Sequence, residues 1–188
     1  MKANRRLAFL LLGVLLLATG AMLWPTVRRN RESARIMEQQ RIKYESTRAL
    51  IAELNGEAKP RLSRVQELLS KGASIDGSDS GMALYLAASR DARIVRLLLD
   101  KGANVNAKAQ VYRGRTALMN AALAGKPNIV RLLLSRGAKV NLKSDEGKTA
   151  LDMVQFPLTF PNVHNTKELT KVEDFLIDAG AKNYDQVK

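Results

Sequence analysis

The sequence predicts an all-α chain in which a tandem array of helix–turn–helix units follows one membrane-spanning helix and a helical stalk. Three observations carry that expectation. The segment LLLDKGANVNAK (Leu97–Lys108) returns thirty-five residues later as LLLSRGAKVNLK (Leu132–Lys143). The stretch from Leu7 to Val27 holds no charged residue. Residues 28–57 lack proline and are dominated by good helix formers, with glycine only at Gly56.

Residues 1–6 form a basic tail carrying Lys2, Arg5 and Arg6. The run LAFLLLGVLLLATGAMLW (Leu7–Trp24) follows, and its eighteen residues would rise about 27 Å as a helix, close to the hydrocarbon thickness of a bilayer. Its eight leucines contribute on the order of −4 kcal/mol toward insertion. Trp24 suits the headgroup region, and Pro25 can end or bend the helix just past the span. Two fates are open. The run serves as a signal anchor, or it is a cleaved export signal with KANRR as its basic part and Thr19-Gly20-Ala21 or Ala18-Thr19-Gly20 as its cleavage site. The sequence favours the anchor, because the run exceeds the usual length of about 7–15 apolar residues, and cleavage would leave Met-Leu-Trp-Pro in front. The flanking arginines and lysines nearly balance. A short basic tail before an apolar run points to a single pass through the cell (inner) membrane, with the repeat domain on the outer, periplasmic side.

The stalk spans 28–46. Ile36, Ile42, Tyr44, Leu50, Ile51 and Leu54 give a loose helical face that runs on into the array. Met37, Tyr44 and Ile51 are spaced as heptads, yet two steps do not make a coiled coil, so a monomer and a stalk-mediated dimer are both open. The first arginines after the span can meet anionic headgroups, at about 1 kcal/mol each.

The clearest unit runs from Gly114 to Asn141 (GRTALMNAALAGKPNIVRLLLSRGAKVN). Thr116 starts its first helix as a capping hydroxyl. Leu118, Ala121 and Ala122 form a packing face on which small alanines let helices approach. Gly125 permits the turn between helices, and Ile129, Val130, Leu132, Leu133 and Leu134 make the buried stripe of the second helix. Gly137 ends that helix in a left-handed conformation. The unit before it, about 78–106, repeats Leu84, Ala87, Ala88, Ile94, Val95, Leu97, Leu98 and Leu99, but Met82 replaces the capping threonine and the turn at Arg90–Arg93 is one residue short. The unit after it, about 145–183, begins Gly147-Lys148-Thr149-Ala150-Leu151 and carries an irregular insertion over 155–165 before a second helix at Val172, Phe175, Leu176 and Ile177. A degenerate cap covers about 47–76, with Val65–Ala73 as its second helix, and 184–188 are a tail.

A period near 33 with this vocabulary resembles the ankyrin repeat. The resemblance covers about 47–183 and departs from the family pattern at Ala117 and Met119, where the family usually has Pro and His. It implies a solenoid whose β-turn fingers and inner helix faces form a concave surface that grips other proteins. The family's partner-facing positions fall on finger residues Asp79, Tyr112, Arg113, Arg115, Glu146 and Lys148, and on helix-face residues Leu86, Arg90, Asn120, Leu123 and Phe156. Tyr and Arg are the residue types that dominate binding hot spots, which singles out Tyr112–Arg115; a merely solvated loop is the alternative there. In the insertion, Phe156, Phe160 and Val163 either cap the open end of the array or form a docking knob.

Composition narrows the functional classes. The absence of cysteine removes disulfides, thiol nucleophiles and Cys-based zinc sites. The net charge is +13, with +5 on residues 1–57 and +8 on 58–188, so the excess is spread along the chain and favours anionic partners. No basic stripe with interleaved aromatics supports nucleic-acid binding. There is no glycine-rich phosphate loop, GxSxG or HExxH, and His164, the one histidine, stands alone in the insertion. The expectation is a non-catalytic scaffold without cofactor or metal, which binds an anionic or otherwise complementary protein. A secreted binder, or a charge-driven binder of membrane surface or nucleic acid, is the alternative.

Overall fold

The computed structural model describes residues 31–75, 81–158, 165–182 and 186, the side chains of 156–158 excepted. The basic tail, the apolar run Leu7–Trp24, Asp79, Phe160, Val163, His164 and most of the tail at 184–188 lie outside the described residues. Among those described, no helix is long and apolar enough to cross a membrane.

The chain divides into two compact units at Arg41 and Ile42. In the first, residues 31–41 are helical and exposed, Ile36 and Met37 included, and Arg41 pairs with Glu38 at 2.9 Å.

In the second unit residues 42–55 are helical (α1). Burial begins at Ser46 and Thr47, where the stalk was expected to give way to the cap, and Leu50 and Leu54 are fully enclosed. Ile51 packs against the same core, so it is committed to its own domain rather than to a heptad seam. Among the described residues seven helices follow: α2 (Leu62–Ser70), α3 (Met82–Ala88), α4 (Ala92–Asp100), α5 (Ala117–Leu123), α6 (Pro127–Ser135), α7 (Ala150–Leu158) and α8 (Thr166–Asp178). They pack in two layers. One row is α3, α5 and α7, each against the next, and the other is α2, α4, α6 and α8. Alanines make the close approach possible, since Ala87, Ala88, Ala121 and Ala122 are all fully buried between rows.

The caps explain the unequal quality of the repeats. Thr116 accepts from Met119 N at 3.4 Å, and the Met119 sulfur accepts from Thr116 N, a weaker version of a capping box. Thr149 and Asp152 make the stronger one, with the Asp152 carboxylate accepting from Thr149 N at 2.8 Å and Thr149 Oγ1 at 2.7 Å. At α3, where Met82 stands in place of the threonine, the helix starts one residue earlier, from Gly81 at φ 84° and without a side-chain cap. The shorter turn after α3 also leaves a trace. Asp91 N donates to Ala87 O four residues back, whereas Lys126 N reaches Ala121 O five residues back around left-handed Gly125. Asp91 then caps α4 by accepting from Arg93 N at 2.9 Å.

Two asparagines stitch successive units. Asn106 donates to Gly137 O and accepts from Lys139 N, and Asn141 repeats both bonds with Gly180 O and Lys182 N.

The described residues are mostly helical, as expected, and one finger carries a short antiparallel pair, Lys108–Ala109 (β1) with Arg115–Thr116 (β2), Lys108 opposite Thr116 and Ala109 opposite Arg115. One expectation is corrected: the insertion is not irregular from Gln155 onward, because α7 continues to Leu158. Gln155 Nε2 holds this extension to Glu173 of α8 at 2.7 Å.

Candidate functional site

The β1–β2 hairpin is the scaffold of the site. Between its strands, Gln110–Tyr112 make one 3-10 turn, Arg113 takes φ 58°, and Gly114 takes φ 64°. A non-glycine residue in the left-handed region costs about 1 kcal/mol or more, and such strain gathers at functional segments. The result is a finger that projects Val111, Tyr112, Arg113 and Arg115 around a shallow concavity of about 320 Å³.

Two forces fix its side chains. The Tyr112 ring stacks on Tyr85 of α3, centroids 4.4 Å apart and planes 22° from parallel, an arrangement that aromatic pairs favour. Both finger arginines converge on one carboxylate in the next finger. Arg115 Nη2 donates to Glu146 Oε2 at 2.9 Å, and Arg113 Nη1 donates to Glu146 Oε1. The Arg115 hydrogen bond, then that of Arg113, holds the Glu146 carboxyl below the usual carboxylate range, so it stays ionised. Burial pushes the Tyr85 phenol up, with Arg115 opposing. The fingers are also joined by their backbones, through Asp145 N donating to Arg113 O at 2.9 Å.

Beside this cluster lies a hollow of about 410 Å³ lined by Arg115, Leu123, Glu146, Lys148, Asp152 and Met153. It unites Arg115, Leu123, Glu146 and Lys148, four positions that the sequence assigned separately to fingers and helix face. Leu123 is 37% exposed and presents apolar surface in the hollow.

The other expected positions fare differently. Leu86 is only 6% exposed and belongs to the core, so it offers a partner little surface. Asn120 is committed within the fold, donating to Tyr85 O at 2.6 Å and thereby linking α5 to α3. Arg90 Nη1 donates to Ala58 O at 3.1 Å, where it ties down the α1–α2 connection. Phe156 is on the α7 extension, but its side chain and Asp79 lie outside the described residues. Sequence reasoning missed Tyr85 and Met153. Both look like helix-interior residues by pattern, and only the fold sets one under Tyr112 and the other in the wall of the hollow. Among the described residues, no group of three or more His, Asp or Glu is placed to hold a metal ion.

Comparison with known families bears on this arrangement directly. Residues 82–110 match the ankyrin repeat, and residues 105–154 match the family described as ankyrin repeats (many copies). The stretch 82–154 is similar to ankyrin repeats. These matches span α3 through most of α7 and include the whole hairpin and the hollow beside it. Ankyrin repeats mediate protein–protein interaction, which is the class of activity that the geometry of this finger suits. No curated protein matches the chain.

Proposed function

We propose that the protein is a membrane-tethered, non-catalytic scaffold that captures another protein through the face made by the Tyr112–Arg115 finger and the hollow beside it. One observation carries the reading. Arg115, Leu123, Glu146 and Lys148 meet in a single hollow with one apolar wall, of Leu123 and Met153, and one charged wall. That combination of an apolar floor and a few convergent polar groups is what interface anchors use. The tether is argued from Leu7–Trp24, an uncharged run long enough to span a bilayer. The basic tail before it favours the cell (inner) membrane with the repeats on the outer side.

The test replaces Arg113 and Arg115 together by Glu in the full chain. Recovery of the co-purifying protein falls at least tenfold, a loss that reversing two hot-spot charges readily produces, while the melting temperature stays within a few degrees. Unchanged recovery contradicts the assignment. Intact mass of the protein from its native cells separates a retained anchor from a cleaved leader. Binding that ignores partner identity and collapses with salt would favour a charge-driven surface instead, the reading that the +13 net charge makes worth testing.

A further inference from the structure

The arginine–glutamate cluster has an incomplete balance of donors. Two guanidinium groups share the single carboxylate of Glu146. A guanidinium carries five N–H donors, and its strongest arrangement is a parallel, two-bond contact with one carboxylate. Arg115 does not have that arrangement, because its Nε is buried and without a hydrogen-bond partner. A buried donor left unsatisfied is costly, so the present rotamer is a compromise. Arg113 is 71% exposed on a residue whose backbone sits in the left-handed region. The cluster is therefore paired, with Arg115 also facing the Tyr85 hydroxyl, but the Nε edge of Arg115 is not used.

The apolar wall of Leu123 and Met153 begins where the arginines end. Leu123 stays exposed there without any described group covering it.

We propose that Glu146 holds the place of a partner's carboxylate. An acidic segment of the partner protein presents an Asp or Glu that displaces Glu146 from Arg113 and Arg115, letting Arg115 turn its Nε and Nη edge toward the new acid. An apolar side chain of the same segment enters the hollow against Leu123 and Met153. The proposal rests on the binding face assigned above and adds the chemistry of its occupant. Charge complementarity supports an acidic segment, since residues 58–188 carry a net charge of +8. The acid that both arginines already hold is a carboxylate, the group the segment presents in its place.

The experiment uses the full chain in neutral detergent and an array of nine-residue synthetic peptides. Each holds one Asp or Glu within two positions of Leu or Phe, and each has an Asn or Gln counterpart. Acidic peptides bind and their amide counterparts do not. Glu146→Gln tightens the best acidic peptides by about threefold, the scale of an exposed ion pair, because the internal competitor is gone. Arg115→Gln abolishes binding, and Arg96→Gln, at an exposed arginine on α4, leaves it unchanged. The sign of the Glu146 effect decides the matter. Weaker or equal binding by Glu146→Gln overturns the placeholder, as does an array in which acids bind no better than amides. Preferential binding to phosphatidylserine vesicles, equally lost on Arg115→Gln, overturns it in favour of lipid. If a photo-crosslinker at position 123 captures a protein while acidic peptides fail, the binding face stands and the carboxylate occupant falls.

Discussion

Asp91 shows how a single residue can compensate for a degenerate repeat. It replaces the longer glycine turn seen after α5, caps α4, and receives Arg93 Nε at 3.1 Å and Nη2 at 2.8 Å while only 6% exposed. The Arg93 side-chain hydrogen bond is the main influence that holds the Asp91 carboxyl below its ordinary value, aided by the Arg93 backbone N–H and by Lys59. A depressed folded-state pKa stabilises the native state above the unfolded value, and that contribution is lost as pH falls through the folded value. Asp91→Ala should therefore lower stability by about 1–2 kcal/mol near neutral pH. Chemical denaturation at descending pH should show the gap to the native protein narrowing only below about pH 4, close to the ordinary carboxyl range. A gap that is constant down to pH 3 contradicts this role. Asn141 makes a second residue-scale case. Asn141→Ala removes both bonds to the last unit and should cost about 1 kcal/mol, with hydrogen exchange rising first in α8. The repeated Val-Asn dipeptide was legible in the sequence, but its purpose was not, because its partners lie 39 and 41 residues away.

At the scale of elements, the finger hairpin depends on two successive left-handed residues. A methyl group at position 114 would run into the Asp145 carboxylate and face an unfavourable φ. The carboxylate can swing aside, so the backbone conformation sets most of the cost. Gly114→Ala should destabilise by about 1–2 kcal/mol and weaken partner capture through misplacement of Arg113 and Arg115; calorimetry and pull-down on the same variant check both. Helix periodicity made the paired helices of each unit readable, because buried leucines and alanines recur at fixed offsets. It failed at the insertion, where Pro157 and the following phenylalanine and proline suggested irregular chain although α7 runs through to Leu158. It also failed for Leu86 and Asn120. Their burial or bonding depends on the neighbouring repeat, which a single unit's pattern does not encode.

Across the whole molecule, the repeat units were legible since each repeats the same solution: small residues inside, leucines between rows, glycine after the second helix. The site was legible only in part. Tyr112, Arg113 and Arg115 stood out by residue type, but the convergence of the two arginines on Glu146 is a property of stacking one finger beside the next. The proposed face joins both fingers at the hollow, so contact there tests it. A photo-crosslinking amino acid placed at position 123 of the full chain, in its native cells, provides the most direct measurement. One dominant crosslinked protein is expected, lost when Arg113 and Arg115 are changed to Glu and absent when the probe sits at Arg96. Equal crosslinking from both positions, or crosslinking indifferent to the two arginines, would contradict it.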